Sequence, residues 1–155
     1  MKTRITTYIP PDSDELSEKF INTIMTQGKK TTARRIFNEM LAELQKRGHK
    51  NAKEIFFRAI ENAKPAMEVR PKRIGGAVYQ VPFEVVPKRQ RMLSFRWIIG
   101  AARHRKGMPM ARRLTAEILE ASDGMGTAVK KKDDVERMAQ ANRAFAHYAR
   151  FTKKK

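Results

Sequence analysis

Lysine and arginine are the residues whose number and spacing in this chain could do chemistry, and that chemistry is the neutralisation of phosphate. Residues 85–116 carry nine of them, among them Lys88, Arg89, Arg91, Arg96, Arg103, Arg105, Arg112 and Arg113, and not one Asp or Glu. A face that merely meets water interleaves both signs. A one-signed stretch predicts a polyanion partner. Arg89, Arg96 and Arg103 recur every seven residues, two helical turns apart, and so form a stripe on one helix face. Lys29 and Lys30 precede a second helical pattern that carries Arg34 and Arg35 in its first turns, and cations beside unpaired helix-start amides make a phosphate site. Arg70, Lys72 and Arg73 lie on an extended segment with Tyr79 available to stack on a base. Lys130 and Lys131 extend the basic set toward the carboxyl end.

Other chemistries find little support. His49, His104 and His147 match no metal-ligand spacing, so no metal or other cofactor is expected. Glu68 and Glu84 are the only acids near the extended segment, and a two-residue turn sets them on opposite faces, where they cannot pair as acid and base. Gly28-Lys29-Lys30-Thr31 lacks the first glycine of a phosphate loop, since Thr23 stands there. With no cysteine there is neither a disulfide framework nor a thiolate nucleophile, which suits a reducing compartment. Residues 1–15 lack the apolar run of a secretory signal, and no window reaches the ~18 apolar residues of a membrane span.

The elements that must position these cations follow from periodicity. The chain has 155 residues, 34 Lys and Arg against 16 Asp and Glu, and a net charge of +18, yet 41% of it is hydrophobic. That composition predicts one folded domain over residues 1–155 rather than a basic tail. After a loosely ordered arm at residues 1–11, Asp12 with Glu15 resembles a capping box. Leu16, Phe20, Ile21, Ile24 and Met25 then make a helical stripe, and Gly28 stops it. Thr31 or Thr32 is the expected cap of a second helix, with Ala33, Ile36, Phe37, Met40, Leu41 and Leu44 inward. Asn51 caps a third, with Ile55, Phe56, Ala59, Ile60 and Ala63 inward and Pro65 at its end.

The period then becomes two. Residues 66–86 predict a hairpin turning at Gly75-Gly76, with Ile74 opposite Ala77, Lys72 opposite Tyr79 and Arg70 opposite Val81. Pro71 and Pro82 exclude a central place in a wider sheet, and neither face looks like a core face, so a protruding ribbon is expected. A fourth helix after Pro87 places Leu93, Trp97, Ile98, Ala101 and Ala102 together. A fifth after Pro109 buries Met110, Leu114, Ile118 and Ala121. A last helix is expected from about Lys131 to Tyr148, burying Val135, Met138, Ala139, Asn142 or Ala141, and Phe145, before a basic tail at residues 151–155. The methionines are expected to fill the core. The fold class is thus mainly α, about six helices in a bundle-like domain with a two-stranded hairpin between the third and fourth.

Several motifs carry a family likeness. Asp14, Leu16, Phe20-Ile21, Gly28-Lys29-Lys30 and Ile36-Phe37 resemble the amino-terminal signature of small-subunit ribosomal protein seven. So do Val69-Arg70, Arg73-Ile74-Gly75-Gly76-Ala77, Tyr79-Gln80-Val81-Pro82, Arg137-Met138-Ala139 and the run from Ala141 to Tyr148. The resemblance covers nearly all of residues 12–150 and fits the bacterial or organellar form. It implies a non-enzymatic protein of the ribosome, in the cytoplasm or an organelle, that binds the 3′ major domain of small-subunit ribosomal RNA and nucleates assembly of the subunit head. It further implies that the hairpin and the last helix lie near exit-site transfer RNA and messenger RNA, beside neighbouring small-subunit proteins of head and platform. By this likeness Arg73, Gly75, Gly76, Tyr79, Gln80, Arg143 and Tyr148 face transfer RNA, while the helix starts and arginine stripe hold ribosomal RNA. Many bacterial members also repress their own operon. Met40 departs from the signature's small residue, which predicts local repacking between the first two helices, and the arm before Asp12 holds only Lys2 and Arg4.

The competing reading is an architectural DNA-binding protein, also small, basic and able to use a ribbon; its glycine tip offers no apolar wedge. A basic enzyme acting on nucleic acid stands third, without a metal cluster or carboxylate pair. If phosphate neutralisation dominates, with ~6–10 contacts, affinity for RNA should fall roughly 10³- to 10⁵-fold between 50 and 200 mM salt. A salt titration that leaves affinity nearly flat would exclude it.

Overall fold

The computed structural model describes residues 9–10 and 13–152. Most of the arm, the proposed Asp12 cap and the tail lysines Lys153, Lys154 and Lys155 lie outside them. The element order is α1 (Glu15–Ile24), α2 (Lys30–Lys46), α3 (Ala52–Asn62), β1 (Met67–Ile74), β2 (Ala77–Glu84), α4 (Pro87–His104), α5 (Met110–Ser122) and α6 (Gly126–Ala141), then a 3₁₀ helix (Arg143–Thr152). This is the mainly helical architecture expected, with its hairpin between α3 and α4.

The core is built from one phenylalanine on each of the first four helices. Phe20 meets Phe56 edge-on at 4.9 Å between ring centroids and Phe95 at 5.2 Å, and Phe37 meets Phe56 at 5.3 Å. Edge-to-face pairs contribute about 0.5–1.5 kcal/mol each beyond the area they bury. Helix α5 packs against α2, α3, α4 and α6, and buries Leu114, Ile118 and Ala121 completely. Met40 is fully buried, and its carbonyl accepts from Thr115 Oγ1 of α5 at 3.4 Å, so this residue sits where α2 meets α5.

Helix ends depart from the sequence expectations in instructive ways. Asp14 is the N-cap of α1: its carboxylate accepts from the Ser17 amide at 2.8 Å and the Ser17 hydroxyl at 2.7 Å. Neither Thr31 nor Thr32 caps α2, because the helix already begins at Lys30, and its cap position, Lys29, supplies no side-chain bond. Asn51 does occupy the cap position of α3, but its side chain donates to Glu54 Oε2 at 3.2 Å rather than accepting from a backbone amide.

The buried face of α4 is rotated from the one expected. Ser94, Phe95, Ile98, Ile99, Ala101 and Ala102 are buried, while Leu93 and Trp97 are only partly so. Serine disguised the stripe: Ser94 enters the core because its hydroxyl donates to the Arg91 carbonyl at 2.9 Å and brings no unpaired polar atom with it.

The last expected helix is two elements. Helix α6 starts earlier, at Gly126, and stops at Asn142, whose side chain and backbone amide both donate to the Met138 carbonyl, at 2.8 and 3.1 Å. Met138 is exposed rather than buried, and Val135 is only partly buried. Beyond Asn142 the chain tightens to three residues per turn, which brings Phe145 and Tyr148 one above the other with their rings 11° from parallel.

The ribbon has the predicted register in full, Glu68 opposite Phe83 and Met67 opposite Glu84 included. Gly75 (φ +56°) and Gly76 (φ +91°) make the turn in the left-handed region that a two-residue hairpin loop requires. Its root, however, is anchored. Val81, Pro82 and Glu68 are buried, the Val85 amide donates to the Ala66 carbonyl at 3.0 Å, and the Ala66 amide donates to Glu136 of α6 at 2.8 Å. The expectation that neither face is a core face therefore holds only toward the tip. Val81 shares its strand face with Tyr79 and with charged Arg70 across the ribbon, which hid it as a core residue, and among the described residues α6 and the 3₁₀ helix, from the far end of the chain, cover the root.

Glu117, fully buried on α5, fastens α5 to α6. It accepts from Arg105 Nη2 at 2.8 Å and from the Ala128 amide in the first turn of α6 at 2.9 Å. Removing Glu117 leaves the buried Ala128 amide without its acceptor and Arg105 with Glu120 alone, a loss on the order of 2 kcal/mol. Glu117→Ala should accordingly lower the urea midpoint without changing the slope of the transition, whereas Glu39→Ala, on the surface, should leave it in place.

Candidate nucleic-acid interface

The basic residues form three groups, each organised by an acid or by a neighbouring element. At the ribbon root, Glu68 is buried and accepts from Arg89 Nε of α4 at 2.7 Å and from Arg70 Nε at 2.6 Å. The Arg70 guanidinium also lies over the Phe83 ring, 5.4 Å from its centroid. One carboxylate thus joins the ribbon to the start of α4. Lys88, beside it, is exposed and makes no ion pair among the described residues. Further along α4, Arg96 is likewise exposed and unpaired, while Arg103 donates to the Ile24 carbonyl at the end of α1, at 3.3 Å. Arg91 lies near Glu15. The Glu15 carboxyl is held below the usual carboxylate range by its hydrogen bond and charge interaction with Lys19, to which Arg91 adds a smaller share. With Arg91 near the start of α1 and Arg103 at its end, α1 and α4 run side by side in one direction.

The second group surrounds Glu18, whose side chain is 1% exposed on α1. Lys30 Nζ lies 3.3 Å away and Arg34 Nη2 3.0 Å. Lys29 is exposed, and Arg35 is exposed with a long pairing to Glu39 at 3.7 Å. The α2 start retains the expected combination of amides without a side-chain acceptor and nearby cations, although two of those cations also serve Glu18.

The third group belongs to α5 and α6. Arg105 bonds Glu120 at 2.5 Å and Glu117 at 2.8 Å, and these two carboxylates push its guanidinium pKa up. It is a fastener of the fold. Arg113 is partly buried and donates to the Met108 carbonyl, whereas Arg112, Lys130 and Lys131 are exposed without ion pairs among the described residues.

At the ribbon tip, Arg73, Gly75, Gly76 and Gln80 are exposed. Tyr79 is not the free stacking platform expected. Its ring packs against both Phe145 at 5.2 Å and Tyr148 at 5.6 Å, and Lys72 Nζ donates to the Tyr148 carbonyl at 3.0 Å. The structure therefore brings the ribbon and the 3₁₀ helix, with exposed Arg143 at its start, onto one flank. Sequence reasoning missed Glu18, Glu68 and Glu117 as organisers. For Glu18 and Glu117 the available signal was helical spacing into otherwise apolar stripes, as with Glu117 beside Leu114 and Ile118, whereas Glu68 shares its strand face with Arg70 and Lys72 and gave none.

Among the described residues no group of His, Asp and Glu is placed to hold a metal ion, and no helix is long and apolar enough to cross a membrane. What the arrangement offers is a fixed array of cations around a rigid helical body with a projecting, glycine-tipped ribbon.

Comparison with known proteins bears on the identity of this array. The family model described as Ribosomal protein S7p/S5e matches residues 2–143. The chain is 51% identical over 143 residues to the small ribosomal subunit protein uS7 of Thermotoga petrophila, covering 90% of this chain and 92% of that one. It is 51% identical over 145 residues to uS7 of Chloroflexus aurantiacus, with 92% of each chain covered, and 50% identical over 139 residues to uS7 of Nautilia profundicola, with 90% of each covered. A match over nearly the whole length, carried by a fold with the expected helices, hairpin and glycine turn, leaves one conclusion: the chain belongs to the ribosomal protein S7p/S5e family, in its bacterial form, and is a structural ribosomal protein rather than an enzyme.

Proposed function

We propose that the protein acts as one RNA-binding unit of the small ribosomal subunit in the cytoplasm. It holds the 3′ major domain of the ribosomal RNA and nucleates assembly of the subunit head. The observation that carries this reading is the distribution of unpaired charge. The acid-free residues 85–116 leave Lys88, Arg96 and Arg112 exposed without ion pairs among the described residues, so no internal carboxylate competes with a phosphate for them. Uncovered backbone amides and Lys29 at the start of α2 supply a further anchor, and Arg35, Lys130 and Lys131 widen the contact.

In the same reading, the exposed ribbon tip and the 3₁₀ helix lie beside exit-site transfer RNA and the messenger path. Glycines let backbone approach a bulky ligand closely, and Arg73 brings a cation to the same place. Neighbouring small-subunit proteins of head and platform complete the surroundings.

The arginine stripe divides under this reading. Arg96→Ala should weaken binding to a transcript of the 3′ major domain and reduce the salt slope by about one, with thermal stability unchanged. Arg89→Ala and Arg103→Ala should lower stability as well, since each leaves an internal acceptor behind. Unchanged affinity for Arg96→Ala would remove the stripe from the interface. At the ribbon, replacing residues 73–78 by a short glycine linker should spare cooperative melting and incorporation into subunits, because the anchored root is retained. Exit-site transfer RNA should then be held less tightly and reading-frame maintenance should relax. If ribosomes with the shortened ribbon retain transfer RNA and frame normally, the tip has no exit-site role.

A further inference from the structure

Beside the ribbon root, the first three turns of α4 carry a groove of about 270 Å³ lined by Val86, Lys88, Arg89, Met92, Leu93 and Arg96. Its floor is apolar without structural need. Val86 is 63% exposed and Met92 37%, Leu93 is half-buried, and none of the three packs against the hydrophobic core of the described residues. Its rim is cationic, with Lys88 and Arg96 on either side, without ion pairs among the described residues, and Arg89 held in place by Glu68.

We propose that this groove receives one unpaired nucleotide of the bound RNA, the base lying on Met92, Leu93 and Val86 and the flanking phosphates on Lys88 and Arg96. The inference rests on the RNA-binding reading above and adds to it a recognition element for single-stranded RNA. Charge complementarity names the occupant: no carboxylate lines the groove, and Glu68 beside it is already committed to Arg70 and Arg89. The apolar floor then distinguishes a splayed-out nucleotide from a duplex, whose bases are stacked inside and whose surface offers only phosphate and sugar. Methionine suits this role, since its flexible, polarizable thioether adapts to the face or edge of an aromatic ring. The volume, at the small end of ligand pockets, fits a single ring system better than a longer stretch of chain.

The test uses the full chain with two probes: a transcript of the 3′ major domain, and a fully paired RNA duplex of the same length. Val86→Ser with Met92→Ser should keep the melting temperature and weaken transcript binding about tenfold, with the salt slope unchanged, because the lost contact is apolar. Duplex binding should not change. Met92→Lys is the second variant: if the floor takes a base it weakens transcript binding despite the added cation, and if the groove meets only phosphate it strengthens it. Tighter binding by Met92→Lys, or an unaffected double variant, overturns the pocket while leaving the RNA-binding reading intact. A native protein that prefers the transcript no more than the duplex removes that reading and the pocket with it. Capture of a polyglutamate peptide that the double variant loses, with transcript affinity unchanged, overturns the pocket in favour of an acidic protein partner.

Discussion

Three buried carboxylates, Glu18, Glu68 and Glu117, set the terms on which a chain of net charge +18 can fold. A carboxylate withdrawn from water must be paired, and in this chain the available partners are arginines and lysines. Glu18 draws Lys30 and Arg34 of α2 onto α1. Glu68 draws Arg89 of α4 onto the ribbon. Glu117 draws in Arg105 and also accepts the first-turn amide of α6. Each acid stands at a junction between elements that hydrophobic contact alone would leave free to slide. The net worth of such pairs against an apolar alternative is small, so their effect lies more in fixing which surfaces meet than in added stability.

This internal pairing also decides what remains outside. Cations consumed by buried acids are held rigidly and leave a surplus on α4, α5 and α6 with no internal partner. An RNA surface made in this way has its charges on helices rather than on loops, and the positions of several are fixed before the ligand arrives. Preorganisation of that kind lowers the ordering cost of binding.

The ribbon shows how rigidity and reach are combined. Its root is clamped by Val81, by the bond between Ala66 and Glu136 and by the Tyr79, Phe145 and Tyr148 cluster, while Arg73 and the two glycines stand in solvent. An isolated two-stranded ribbon has marginal stability in water. Closing the end of the chain over the ribbon's flank adds ring contacts and a Lys72 hydrogen bond that two strands alone would lack.

Local physics made much of this legible in the amino-acid sequence. The 3.6-residue periods placed α1 to α5, and Gly75-Gly76 determined the hairpin register, because only a two-residue turn with positive φ at both positions joins those strands. The acid-free run announced the anionic partner. What only the tertiary structure decided is which of two chemically identical side chains points inward. Arg96 and Arg105 read alike as cations, yet Arg105 is committed to Glu117 and Glu120, acids that come to it only when α5 folds back. Tyr79 read as a free ring until residues 66 and 69 positions later closed over it. Ser94 hid the face of α4, and the helix expected through Tyr148 ended at Asn142 because Phe145 and Tyr148 find their partner on the ribbon. Periodicity records how a segment relates to itself; the pairing of buried charge and of rings depends on segments that meet only in the folded chain.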